Sequence, residues 1–302
     1  MEGILPLLKP KGLTSHDCVF KLRKILGTKK VGHTGTLDPD VTGVLPVCVG
    51  RATKIAEYIT DAGKAYEGEV TLGYATATED SSGETVEEKE VDRVIGRQEI
   101  VEVLGSLTGV ITQTPPMYSA VKVNGKKLYE YARAGQTVER PSREVSIYSL
   151  ELLDSRDSFE GKHISFKFRV SCSKGTYIRT LAVMIGERLG FPAHMSRLER
   201  IRSASFSIED CLTFEEVEEK VRQGEDFLLP LEIGLSHLPK YHISDKVSEK
   251  IKNGAVLPVP EEIHSIDGPF VIMDSSRKAL AIYKLHPEKT GLMKPVKVLR
   301  NE

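Results

Sequence analysis

Apolar residues recur along this chain with two periods, and the switches between them mark its elements. From Ser15 they fall at Val19, Phe20, Leu22, Ile25 and Leu26 before Gly27, which predicts an amphipathic helix closed by a glycine. Residues 66–72 set Tyr66, Gly68, Val70 and Leu72 on one face and Glu67, Glu69 and Thr71 on the other, the alternation of a half-buried strand. Residues 118–123, followed by Asn124-Gly125, predict a strand that enters a hairpin turn. Ile164, Phe166, Phe168 and Val170 alternate with Ser165, Lys167, Arg169 and Ser171, a second strand whose polar side faces water or nucleic acid. Ser173-Lys174-Gly175 then turns the chain into a helix with Ile178, Leu181, Ala182, Ile185 and Leu189 on one side.

Near residues 235–241 the composition changes. Short strands at 270–273 and 279–283 flank a turn at 274–278, and Gly and Pro become frequent. This predicts a larger domain over residues 1–235 and a small all-β module over 236–302. No internal repeat is apparent, and the one biased tract is the acidic stretch at 79–92.

The chain has 302 residues, 40% of them hydrophobic and 28% charged, which describes an ordinary folded protein with room for two domains. No apolar run reaches the ~20 residues of a membrane helix, and the opening MEGILPLLKPKG lacks the layout of a signal peptide. Cys18, Cys48, Cys172 and Cys211 are scattered without a C-x-x-C, so neither a disulfide framework nor a zinc site is expected. A cytoplasmic protein with reduced thiols follows. Net charge is −1, yet the charges are blocked. Residues 162–206 hold nine Lys/Arg against two Glu, and residues 208–235 hold nine Asp/Glu against two Lys/Arg. Residues 1–60 run nine basic to five acidic, and 76–103 run three to nine. Such blocks are either solvated surface or one positive face on a neutral protein.

Residues 32–46 read GHTGTLDPDVTGVLP. Asp38 stands between Leu37 and Pro39 amid Gly32, Gly35 and Gly43, with His33 five residues upstream. Glycine permits positive φ and close approach, while proline stiffens itself and its predecessor. A carboxylate so held is a turn former or a reacting group. A calcium loop is excluded, because its twelfth position would be Val49 and its second Pro39.

The stretch resembles the catalytic motif of the TruB family of pseudouridine synthases, G-H-x-G-x-L-D-P-x-x-x-G-x-L-P, at every fixed position. Four further segments match the same family: Lys9-Pro10-Lys11-Gly12, Lys64-Ala65-Tyr66, Ser173 through Thr180 reading SKGTYIRT, and His194 through Leu198. The resemblance implies an α+β fold: a mixed central sheet flanked by helices, with a PUA-like RNA-binding module at the C-terminus. It implies an isomerase that converts uridine 55, in the T-arm of tRNA, to pseudouridine.

In this family the uridine's N1–C1′ bond is broken and C1′ is rejoined to C5, without redox change or group donor, so no cofactor and no metal is expected. By resemblance Asp38 is the carboxylate that attacks C1′, adds to C6 or removes a ribose proton. Tyr66 stacks on the base and serves proton transfer at C5, where a tyrosine at a strand start would otherwise be core packing. Arg179 pairs with the aspartate and keeps it ionised. Tyr177 and Leu198 wall the uracil pocket, and His33 fills space near flipped nucleotides. Lys64 and Lys174 belong to matched segments, and Lys9 supports the loop or meets a phosphate. The resemblance implies tRNA as partner, with the basic block and the C-terminal module as grips. No basic tail follows Glu302 and no long extension precedes Lys9, so a stand-alone monomer is expected rather than the guide-RNA-dependent dyskerin type. A binding or RNA-folding module would need no carboxylate among phosphates.

Overall fold

The first helix spans Ser15–Ile25 in the computed structural model, which describes residues 1–301. Thr14 caps it reciprocally with Asp17: the Asp17 N–H donates to Thr14 Oγ1 at 3.0 Å, and the Thr14 N–H donates to Asp17 Oδ2 at 2.9 Å. Arg23 and Lys24 stand in its last turn, where the helix dipole favours cations. Cys18, Val19 and Leu22 form the buried stripe. Phe20 does not belong to it: the ring is 55% exposed, with Lys24 Nζ 4.5 Å above it. One residue past Val19 turns the side chain about 100° off the stripe.

The chain divides into two units, one from residues 1–39, 44–62 and 203 onward, the other from 40–43 and 63–202. In the first, Thr42–Val49 has Gly3–Lys9 as one neighbour, and Val31–His33 pairs with it antiparallel, His33 opposite Val47. Leu5, Leu7, Val31, Leu45 and Val47 pack on Cys18, Val19 and Leu22 and on Phe214 and Val217 of the helix Phe214–Gln223.

The C-terminal part of this unit carries a five-stranded sheet in the order Lys240–His242, Phe270–Met273, Ala279–Leu285, Leu292–Val298, Leu257–Pro258. Phe270 and Ile272 pack with Ile251, Ile263 and Tyr283, while Val271 and Met273 pack with Ile4, Ile55 and Leu235. A strand buried on both faces needs no polar alternate, which explains the unbroken run FVIM.

The second unit is built on strands in the order Ala193–Ser203, Lys64–Leu72, Ile164–Cys172, Arg143–Leu152, Gly109–Gln113. Its pairings are antiparallel where Val170 faces Tyr66 and Phe168 faces Gly68, and parallel where Thr42 and Gly43 face Glu199 and Arg200. The sheet is therefore mixed, with helices beside it and a β-rich C-terminus: an α+β fold, as expected. The helix Ile178–Leu189 buries Ile178, Leu181, Ala182, Ile185 and Leu189 and ends on Gly190 at φ 86°, a left-handed closure glycine adopts without strain.

The strand predicted at 118–123 is mostly absent. Only Lys122–Val123 and Lys126–Lys127 pair, around Asn124 at φ 50° and Gly125 at φ 84°. The turn chemistry holds, but no neighbouring strand completes a ladder for 118–121. Their carbonyls are taken elsewhere: Ser119 O by the Tyr129 N–H and Val121 O by the Leu128 N–H. Cys18, Cys48 and Cys172 are buried, and burial pushes the Cys48 and Cys172 thiols up to about 12 and about 11. Among the described residues there is no cluster of metal-binding side chains, and no helix is long and apolar enough to cross a membrane.

Candidate active site

Asp38 lies on the loop between the paired strands Val31–His33 and Thr42–Val49, half-buried, with its backbone fixed on both sides. Upstream, the buried Ser15 hydroxyl accepts the Leu37 N–H at 2.8 Å and donates to the Leu37 carbonyl at 3.3 Å. Downstream, the Pro39 carbonyl accepts the Gly12 N–H at 2.8 Å and Lys9 Nζ at 3.0 Å. Thr34 closes the base of the loop by donating its N–H and hydroxyl to the Pro46 carbonyl at 3.1 and 2.9 Å. A loop whose carbonyls and amides are answered in this way holds its side chain to one direction.

Lys9 is 0% exposed and also donates to the Pro10 carbonyl at 3.0 Å. A buried ammonium that donates to the Pro10 and Pro39 carbonyls supports the loop from within. Gly43 sits at φ 106°, where a Cβ would strike the Arg200 backbone; only glycine allows the parallel approach there. His33 ends the strand Val31–His33 beside this loop.

The remaining predicted residues belong to the second unit. Lys64 and Tyr66, each 7% exposed, lie on one face of Lys64–Leu72, two residues apart. Leu198, 9% exposed, approaches the same face at Gly68, whose missing side chain leaves room for it and for Phe168. Tyr177 precedes the helix Ile178–Leu189, and its backbone is gripped by Gln113: the Tyr177 N–H donates to Oε1 at 3.0 Å, and Nε2 donates to the Tyr177 carbonyl at 3.1 Å. The Arg143 guanidinium stands 5.0 Å from the Tyr177 ring centre. Lys174 is exposed in the turn before it.

Arg179, 6% exposed, donates Nη1 to the Thr78 carbonyl at 2.9 Å and Nη2 to the Tyr118 carbonyl at 3.1 Å. Asp80 Oδ2 stands 3.8 Å from Nη1. Sequence reasoning missed this partner loop. Asp80 also accepts from Thr78 Oγ1 at 2.7 Å and Ser82 Oγ at 2.6 Å, and Glu79 accepts from Thr180 Oγ1 at 2.7 Å. Glu79 takes φ 63°, rare for a residue with a side chain. Burial raises its carboxyl pKa, against the lowering pull of Thr180 and Arg179. The available signal was the D-S-S-G turn at 80–83, read only as part of an acidic tract.

The basic block does not survive folding as one positive face. Arg169 pairs with Glu67 at 2.6 Å and Lys162 with Glu90 at 2.8 Å, while Arg179 and Arg200 are buried. The register that sets Arg169 opposite Glu67 also sets Lys167 opposite Glu69. The side expected to meet water or nucleic acid is thus a mixed-charge surface.

Residues 23–178 match the family described as TruB family pseudouridylate synthase (N terminal domain), and residues 179–236 match the tRNA pseudouridylate synthase B C-terminal domain. The chain is similar to the tRNA pseudouridine synthase B of Geobacillus thermodenitrificans, 62% identical and covering 99% of this chain and 100% of the relative. Its similarity to the Bacillus cereus protein of the same name is 62%, over 100% of this chain and 98% of the relative. Among solved structures, that titled "Crystal Structure of a Cbf5-Nop10-Gar1 Complex" aligns with TM-score 0.75 at 30% identity, covering 99% of this chain and 85% of that one.

Proposed function

Because the chain belongs to the TruB family of pseudouridylate synthases, we propose that it converts uridine 55, in the T-arm of tRNA, to pseudouridine, with Asp38 as the reacting carboxylate. The observation that carries the assignment to Asp38 is the double fixation of its loop, through Leu37 on Ser15 and through Pro39 on Gly12 and Lys9. Catalysis rewards an oxygen held in one place before the substrate arrives.

The target base must leave the stack, at a cost of a few kcal/mol. Tyr66 offers it a ring to stack on and a hydroxyl for the proton that moves at C5. Tyr177 and Leu198 supply walls, Arg179 the cation of the reaction, and Lys64, Lys174 and His33 contacts to the opened nucleotides. The chemistry calls for no cofactor or metal. Residues 236–302 serve as an RNA-binding module of PUA type beside a catalytic domain over 1–235. The enzyme works in the cytoplasm as a monomer without a protein partner.

The relatives at 62% identity over the whole chain support a stand-alone tRNA enzyme over one held in a complex with other proteins, as the more distant structural neighbour is. Tritium release from T-arm hairpin RNA labelled at C5 of uridine tests both points. Wild type is expected to release it without guide RNA or partner, and Asp38→Asn to bind the RNA as wild type does but release none. Full release by Asp38→Asn would end the assignment.

A further inference from the structure

The helix Ile178–Leu189 starts on Tyr177, at φ −93° and ψ 110°, whose side chain makes no capping hydrogen bond. Serine, threonine, aspartate or asparagine would cap the helix from that place. Tyrosine forgoes the cap and sets a half-buried ring at the helix start. Its backbone is held from another element instead.

Gln113 ends the strand Gly109–Gln113 and is 1% exposed. Its Oε1 accepts the Tyr177 N–H at 3.0 Å, and its Nε2 donates to the Tyr177 carbonyl at 3.1 Å. One planar amide that answers both backbone groups of a residue fixes that residue's direction, as an antiparallel neighbour would. Met184 Sδ, on the same helix, lies 4.0 Å from Nε2, so the carboxamide rests against the helix whose start it orients. Arg143 is the cross-strand partner of Gln113. Residues directly opposite in an antiparallel pair present their side chains to one face. Arg143 accordingly donates to the Gly175 carbonyl and holds its guanidinium 5.0 Å from the Tyr177 ring centre, where a cation is attracted to the ring.

Resting on the reading of Tyr177 as a wall of the uracil pocket, we propose that Gln113 is a positioning residue for the isomerisation. It acts through Tyr177, fixing the backbone from which the ring meets the base, while Arg143 steadies the ring itself.

Single-turnover tritium release from T-arm RNA labelled at C5 tests this, with Gln113→Met beside wild type, Tyr177→Leu and the double variant. Methionine is of similar size and offers no amide. A misplacement of ~1 Å costs about 100-fold, so the rate at saturating RNA should fall by about tenfold to a hundredfold, while the Kd for the RNA stays within about twofold. In the Tyr177→Leu background the same substitution should cost less than about threefold, because no ring remains to be placed. Gln113→Glu keeps the acceptor for the Tyr177 N–H and loses the donor, and it supplies the same comparison if Gln113→Met does not fold. A rate within about twofold of wild type would overturn the proposal, whatever the change in Tm. Equal losses of rate and affinity, or losses that multiply in the double variant, would overturn it too and assign Gln113 to packing. Release by wild type and none by Asp38→Asn, measured alongside, keeps the functional reading separate from this outcome.

Discussion

Ser15→Ala isolates what the loop fixation contributes. Ser15 is 1% exposed at the helix start, and its hydroxyl both accepts the Leu37 N–H at 2.8 Å and donates to the Leu37 carbonyl at 3.3 Å. Leu37 is itself 4% exposed, so the substitution leaves a buried amide unanswered, at about 1–3 kcal/mol. Alanine returns a few tenths through helix propensity. The net loss is about 1–2 kcal/mol, or a Tm lower by roughly 2–6 °C.

The effect on rate should be larger than this suggests. Asp38 is the next residue, and a displacement of ~1 Å in a reacting group costs about 100-fold. Tritium release is expected to fall between tenfold and a hundredfold at saturating RNA, while the Kd for tRNA stays within twofold. The variant remains folded at 25 °C, so unfolding cannot account for the drop. A rate within twofold of wild type, with the Tm loss present, would refute the claim that this bond positions the carboxylate.

Arg179→Ala should cripple turnover more than RNA binding; equal losses in both would reduce it to a scaffold residue. Tyr66→Phe keeps the ring and should retain affinity while losing product, so an unimpaired yield would remove its hydroxyl from the reaction. Gly43→Ala forces a Cβ at φ 106° into the Arg200 backbone and should lower stability by more than 2 kcal/mol, roughly, which a denaturant melt would show. Burial lowers the pKa of His194, 1% exposed, from its ordinary 6.5. Its contribution to stability is full above pH 6.5 and is lost as pH falls through the folded-state value, because the unfolded chain takes the proton first. His194→Gln should therefore flatten, though not abolish, the fall in Tm below pH 6.5, since desolvation shifts His237 the same way. An unchanged slope would place the titration elsewhere.

Elements whose own residues carry the pattern were legible in the sequence. Ser15–Ile25, Lys64–Leu72, Ile164–Cys172 and Ile178–Leu189 each bury one stripe of a period that survives any tertiary context. The Asp38 stretch was legible as a motif because glycine and proline there answer backbone demands, as Gly43 shows against Arg200. What escaped depends on distant partners. Phe20 looks apolar in a list of residues but points off the stripe. Residues 118–121 have strand composition, but Arg179, Leu128 and Tyr129 claim their carbonyls. Lys9 and Asp80 acquire their roles from Pro39 and Arg179, 30 and 99 residues away in sequence.

Charge shows the same limit in a form that bears on RNA. A run of like charges in sequence predicts a positive face only when its residues stay together and unanswered. Here the strand register opposes Arg169 to Glu67 and Lys167 to Glu69, so antiparallel pairing neutralises the run that looked most suited to phosphate. The arm at residues 122–142 escapes this, with five Lys/Arg against two Glu and only two-residue strands to impose a partner. Its cations lie against aromatic rings instead: Lys127 Nζ is 5.4 Å and the Arg133 guanidinium 5.3 Å from the Tyr129 ring centre. An aromatic face attracts a cation without cancelling its charge. The arm therefore offers a phosphate backbone charges that ring contacts leave uncancelled, whereas Lys162 and Arg169 of the longer block are already ion-paired.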